Sequence, residues 1–316
     1  MTDIGYTLSS EECGPDELVE NAVAAERAGF GYALISDHYH PWTTTQGNSP
    51  FVWSTLGGIA TATDSLRVGT GVTCPTVRIH PAVIAQATAT TAAMFDGRFF
   101  FGVGTGENLN EHVLGDRWPP FDVRLEMLSE AVAVIRKLWS GENVTHYGDH
   151  YTVENARLFT LPDEPPPVYV SGTGPKSAAA AADFGDGLVS TAPKDEVVEQ
   201  YESDGDGPKY GQLTVCYAES ESEARETAHE WWPNAALPGE LGQLLPSPKH
   251  FEQATGMVTT DDVAELVVCG PDPDDHVEEI QEYVDAGFEH VYVHQVGPDQ
   301  QSVLNFYERE VLPSFS

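Results

Sequence analysis

Runs of β-forming residues alternate with helical stretches along the whole chain, and no other feature narrows the fold as much. The first run is 4–8, and the helix after it begins near Pro15, a residue suited to a first turn, and stops at Gly29. Strand and helix pairs follow at 32–35 and 51–62, 66–73 and 81–95, 98–106 and 123–139, 168–171 and 176–183, then 187–191 with a helix to Glu202, and 210–218 with 219–231. Helical stretches at 260–268 and 273–286 precede the last strand, 290–296, and a final helix covers 299–310. Strict alternation implies a parallel sheet, and eight such units fit a (β/α)8 TIM barrel better than an open doubly wound sheet. Segments 107–122, 141–167 (with a hairpin around Tyr147-Gly148-Asp149) and 232–257 read as loop insertions in one domain spanning 1–316.

Charge excludes some partners. Fifteen basic residues against 50 acidic ones give a net charge of −35, a surface that repels nucleic acid and anionic membrane. The carboxylates are spread along the chain, which points to adaptation to concentrated salt, where the Debye length shrinks to roughly 3 Å at 1 M. An acidic protein of ordinary cytoplasm is the alternative. Cys13, Cys74, Cys216 and Cys269 show no CxxC spacing and read as core residues in a reducing compartment. The amino terminus has neither a basic n-region nor an apolar h-region, and no stretch reaches membrane-spanning length, so the expectation is a soluble cytoplasmic protein.

In a parallel barrel the carboxyl ends of the strands build the site. The run Ile35-Ser36-Asp37-His38-Tyr39-His40-Pro41-Trp42 is such an end, apolar residues breaking into ionisable ones. Asp37 and His38 are neighbours on an extended strand, so their side chains point to opposite faces and serve separate roles. His38 can exchange a proton near neutral pH, or can be a buried imidazole bonded to a carbonyl. Trp42 can floor a pocket or pack in its loop. Glu107, after the fourth strand, is a candidate general acid or a solvated loop residue, and Asn110 is a plausible amide partner. The glycines of 66–73 and 98–106 weaken those strands unless something approaches the backbone, though a ligand-free bulge would also use them. The GxGxG of 102–106 does not match the dinucleotide fingerprint. No H-E-x-x-H, paired-carboxylate or Cys/His array supports a metal, and no G-x-S-x-G elbow supports a serine hydrolase.

Three ordered runs are similar to those of the coenzyme F420-dependent glucose-6-phosphate dehydrogenase family, within the luciferase-like barrel superfamily: Ser36 to Trp42, Gly69 to Thr76 with Pro81 to Gln86, and Gly102 to Glu107 with Asn110. The resemblance covers nearly the whole chain and is strongest from Ile4 to Trp139. It implies a homodimeric enzyme that passes hydride from a hydroxyl-bearing carbon of a sugar or sugar phosphate to the C5 carbon of the deazaflavin coenzyme F420. Carried over by position, Asp37, Cys74, Asn110, Thr173 and Gly174 contact the cofactor, and Gly71-Val72 matches a non-prolyl cis peptide behind its ring. Cys74 stands where the family often has Thr. His38 takes the hydroxyl proton, Trp42 packs beside the reacting centre, Glu107 handles the proton of the reduced cofactor, and Glu11 is a further active-site carboxylate. Thr191 and Lys194 stand where the sugar-phosphate enzymes keep phosphate ligands. Between Arg225 and Arg309 the one fixed cation is Lys249; His250, His290 and His294 can substitute for cations there or be structural, and an unphosphorylated sugar or a small alcohol stays open as substrate. The alternatives are an FMN-dependent monooxygenase, a tetrahydromethanopterin-type reductase, and a barrel that binds its ligand without turnover.

Overall fold

The computed structural model describes residues 2–315. Eight strands run parallel: β1 (Asp3–Leu8), β2 (Tyr32–Ile35), β3 (Arg67–Thr70), β4 (Phe99–Val103), β5 (Val168–Ser171), β6 (Gly187–Ser190), β7 (Lys209–Cys216) and β8 (His290–Gln295). Each pairs with the next, β6 pairs with β7, β7 with β8 and β8 with β1, so the sheet closes on itself as a barrel. Helices α1 (Pro15–Ala28), α2 (Val52–Ala62), α3 (Pro81–Phe95), α4 (Phe121–Trp139), α5 (Pro175–Phe184), α6 (Asp195–Glu202), α7 (Glu221–Trp231), α8 (Pro273–Asp285) and α9 (Gln300–Phe306) lie between and after the strands. The sequence-derived (β/α)8 barrel is the observed architecture.

Two cores hold it. The larger lies between strands and helices and takes the outward strand residues, such as Ile4, Tyr6 and Leu8 from β1, with Leu18 and Ala22 from α1. The smaller fills the barrel bore with rings: Tyr32, Phe100, Tyr169, Tyr210 and Tyr292, joined by Leu34 and Val189. These rings fit because inward positions on adjoining strands are glycines. A Cβ at Gly69 would fall 2.0 Å from Phe100 Cε2, one at Gly5 2.4 Å from Tyr32, and one at Gly187 2.7 Å from Tyr169. Alternation of large and small residues is how a narrow barrel fills its bore.

Several boundaries differ from the sequence expectation. Regular pairing of the third strand stops at Thr70, where the Gly71–Val72 peptide is cis, and resumes when Thr73 N donates to the Gly102 carbonyl at 2.9 Å. The fourth strand ends at Val103 instead of Gly106, and 104–106 turns over the barrel mouth. Stretch 260–268 is helical only as Thr260–Ala264. Val268 and Cys269 instead add a short parallel strand on Val215 and Cys216, where β-branched Val268 gains ladder bonds. The last helix widens over Tyr307–Val311. Segment 141–167 carries the hairpin, Val144–Tyr147 with Thr152–Ala156, and 232–257 folds into short helical turns, among them Leu241–Leu244 and Pro248–Ala254.

Candidate active site

A cavity of about 250 Å³ opens at the carboxyl ends of the strands. Its walls follow the period of two. Thr7, Ser9 and Glu11 face it from β1 and the turn beyond, and Ser36 and His38 face it from the end of β2. Gly71, Val72 and the 104–106 turn supply a backbone floor, and Glu107, Thr173 and Thr191 close the side toward β4, β5 and β6. Trp42 and Trp232 stand at the rim.

The central pair is Glu11 and His38. His38 Nε2 lies 3.3 Å from Glu11 Oε1, and its Nδ1 lies 3.2 Å from the His40 carbonyl. Glu11 Oε2 accepts from the Ser36 hydroxyl at 2.5 Å and the Ser9 hydroxyl at 3.3 Å. Burial pushes the Glu11 carboxyl up, but His38 and the Ser36 hydroxyl outweigh it and hold the group below its ordinary value. The imidazole also packs edge-on against Trp42 at 4.9 Å, and Trp42 in turn against Phe251 at 5.1 Å. A buried carboxylate, an imidazole and an indole thus share one corner of the cavity.

Asp37 points the other way, as alternation requires. Its carboxylate pairs with Arg78 at 2.7 Å and accepts from Thr73 Oγ1 at 2.8 Å. Arg78 also lies 3.6 Å from Glu111, which accepts from the Arg78 backbone N–H at 2.8 Å. Burial, with Asp37 and Glu107 nearby, pushes the Glu111 carboxyl up to about 7 although Arg78 opposes this. Burial likewise pushes the Cys74 thiol well up. Asn110 clasps the loop after β2, its Oδ1 accepting from Tyr39 N at 2.9 Å and His40 N at 3.2 Å, while Nδ2 donates to Glu107 at 3.4 Å.

The structure therefore brings together Glu11, His38, Trp42, Gly71, Val72, Glu107, Thr173 and Thr191 around one cavity. Asp37, Cys74 and Asn110 are buried behind the lining, Gly174 caps α5, and Lys194 is exposed at the start of α6, outside the lining. Sequence reasoning missed Ser36, which inward alternation with His38 would have found. It also missed Arg78 and Glu111, which no local pattern marks because they meet across two loops. His294, on β8, was legible as a histidine able to stand in for a phosphate-binding cation, and it lines the cavity.

The chain matches the family model described as luciferase-like monooxygenase over residues 1–290. It is 36% identical to the F420-dependent glucose-6-phosphate dehydrogenase of Microbacterium testaceum, with 98% of this chain and 96% of that protein covered. It is 37% identical to the enzyme of the same name from Segniliparus rotundus, at 98% and 97% coverage. Among solved structures, an F420-dependent secondary alcohol dehydrogenase superposes with a TM-score of 0.91 at 30% identity, covering 98% of each chain. The coenzyme F420-dependent tetrahydromethanopterin reductase of Methanopyrus kandleri shares the fold, with a TM-score of 0.78 at 21% identity and coverage of 100% and 99%. Barrel, cavity and sequence together make this chain a member of the luciferase-like family, in its F420-dependent glucose-6-phosphate dehydrogenase group.

Proposed function

We propose that the chain is a coenzyme F420-dependent dehydrogenase acting on a hydroxyl-bearing carbon. The observation that carries the reading is His38 held by Glu11 and Trp42 at the edge of a backbone floor. The floor fits a planar ring system. A Cβ at Gly104 would meet Val72 Cγ2 at 2.7 Å, so the turn carries no side chain there and packs directly on Val72. Gly71, Val72, the 104–106 turn and Thr173 are the residues that would hold the ring. Coenzyme F420, when bound, supplies a deazaflavin carbon that accepts hydride.

The chain's own part is proton handling and exclusion of water. A carbinol O–H must lose its proton as hydride leaves the carbon, so a base has to sit beside the hydroxyl. His38 Nε2 receives that proton. The protonated ring then donates from Nδ1 to the His40 carbonyl and from Nε2 to Glu11, which stays ionised and stabilises the imidazolium. Tautomer and charge are assigned from these partners. Glu107, oriented by Asn110, is the proton station on the cofactor side. Trp42 packs beside the reacting carbon and keeps water off it.

The net charge of −35 supports work in the concentrated salt of a halophilic cytoplasm, and exposed Val83 and Met94 on α3 support a homodimer. No described helix is long and apolar enough to cross a membrane.

A fluorescence titration in several molar salt, with coenzyme F420 and FMN side by side, tests the cofactor, and preferential binding of FMN would sink the reading. With F420 bound, His38→Ala should lower turnover by roughly 10²- to 10⁴-fold at nearly unchanged cofactor affinity. Turnover within about threefold of the parent would remove His38 from this role.

A further inference from the structure

Two successive glutamates beyond β1 each reach an imidazole on a flanking strand. Glu11 turns to His38, past β2, and Glu12 turns to His294, on β8, with Oε2 and Nε2 3.6 Å apart. The first pair is absorbed by proton transfer and the second is not. His294 is 2% exposed, lines the cavity and packs edge-on against Trp232 at 4.5 Å. Neither of its ring nitrogens has a hydrogen-bond partner. A buried polar atom left without a hydrogen bond is costly, so an imidazole that lines a cavity in this state is set for a ligand. Beside it Gln212 on β7 and Thr191 beyond β6 present an amide and a hydroxyl to the same cavity. The β6–β8 sector thus offers uncharged donors and acceptors next to an indole.

Fixed cations are missing from the lining of that sector, and Lys194, three residues beyond Thr191, is exposed outside it. Among the described residues no Lys or Arg lines the cavity, whereas Glu11 and Glu107 do. Arg78 is held by Asp37 and Glu111. Arg124 donates to the Pro119 carbonyl at 2.8 Å and to Gln243 at 3.0 Å. A proton on His294 would be balanced by Glu12. Beyond Thr191 the surface cleft carries Glu221, Glu265, Asp275, Glu278, Glu279 and Glu282 around Arg225, which is already paired with Glu221 and Asp261. Within the lining a phosphate dianion would meet carboxylates without a fixed cation. A monohydric alcohol would leave His294 and Gln212 unpaired.

We propose that His294, Gln212, Thr191 and Trp232 form a hydroxyl-reading subsite that selects an uncharged polyhydroxy substrate, a free sugar or polyol, over its phosphate ester and over a monohydric alcohol. This rests on the dehydrogenase reading and narrows its substrate. The test uses the full chain with F420 at matched ionic strength. Bleaching of the cofactor is followed with D-glucose, D-xylose and glycerol, with glucose 6-phosphate and glycerol 3-phosphate, and with 2-propanol. The best free polyol should exceed both phosphates and 2-propanol by about tenfold or more in kcat/KM. His294→Leu should raise KM for that polyol about tenfold with a much smaller loss of kcat, and should abolish the rise in melting temperature that the polyol gives the F420-bound protein. Fastest turnover with a phosphate ester or with 2-propanol overturns the proposal. So does bound F420 with no polyol oxidised, or an unaltered KM in the variant. Failure of F420 to bind overturns the dehydrogenase reading instead.

Discussion

His38 and Asp37 show how one residue step divides labour. Period-two alternation sends His38 into the cavity and Asp37 to Arg78, and that much was legible from two adjacent letters. What Asp37 would meet was not, because Arg78 and Glu111 arrive from other loops. The Glu111 carboxyl, raised to about 7 by burial and by neighbouring Asp37 and Glu107, gives a prediction at this scale. Between about pH 4.5, its unfolded value, and pH 7 the folded chain keeps this proton while the unfolded chain releases it, so stability from the group is present at low pH and is lost as pH rises through 7. Denaturant unfolding of the parent and of Glu111→Gln should therefore show the difference in stability moving against the parent by about 3 kcal/mol over that range. A difference that stays flat with pH would exclude a raised Glu111.

Strands and helices were readable because each carries its own signal: Pro15 and Pro81 open helices, Gly29 closes one with φ 97°, and apolar runs mark the strands. Register facts were not readable. That Gly69 lies against Phe100 across the bore depends on β3 pairing with β4, with Gly69 opposite Phe100, which no local window contains. Gly69→Ala should accordingly cost about 1–3 kcal/mol in thermal or chemical unfolding, since its Cβ would stand 2.0 Å from the ring. Phe100→Leu in that background should recover part of the loss. Full stability of Gly69→Ala alone would mean that the bore is packed differently. The 260–268 stretch shows the opposite failure, a helical composition whose last residues are taken by the edge of β7.

At the scale of the molecule, most of the 50 acidic residues lie on one surface and repel one another. Raising KCl from 0.1 M to 2 M cuts the Debye length from about 10 Å to below roughly 3 Å. The melting temperature should rise by at least a few degrees, each kcal/mol of relief being worth roughly 2–4 °C. Light scattering across the same series reads whether a dimer accompanies it. A flat or falling melting curve would remove salt adaptation from the reading. The barrel also separates two inheritances. Segment 232–257 leans on the loop after β2 through Phe251 against Trp42 and through Glu252, which accepts from Thr44 N at 3.1 Å. Gln46 of the same loop donates to the Trp231 carbonyl at 2.9 Å, just before the segment begins. Glu11, His38 and the glycine floor belong to earlier parts of the chain. A lineage that exchanged this one segment would redraw the doorway of the enzyme while passing on its redox chemistry intact, and descent within such a family can diversify diets without reinventing the reaction.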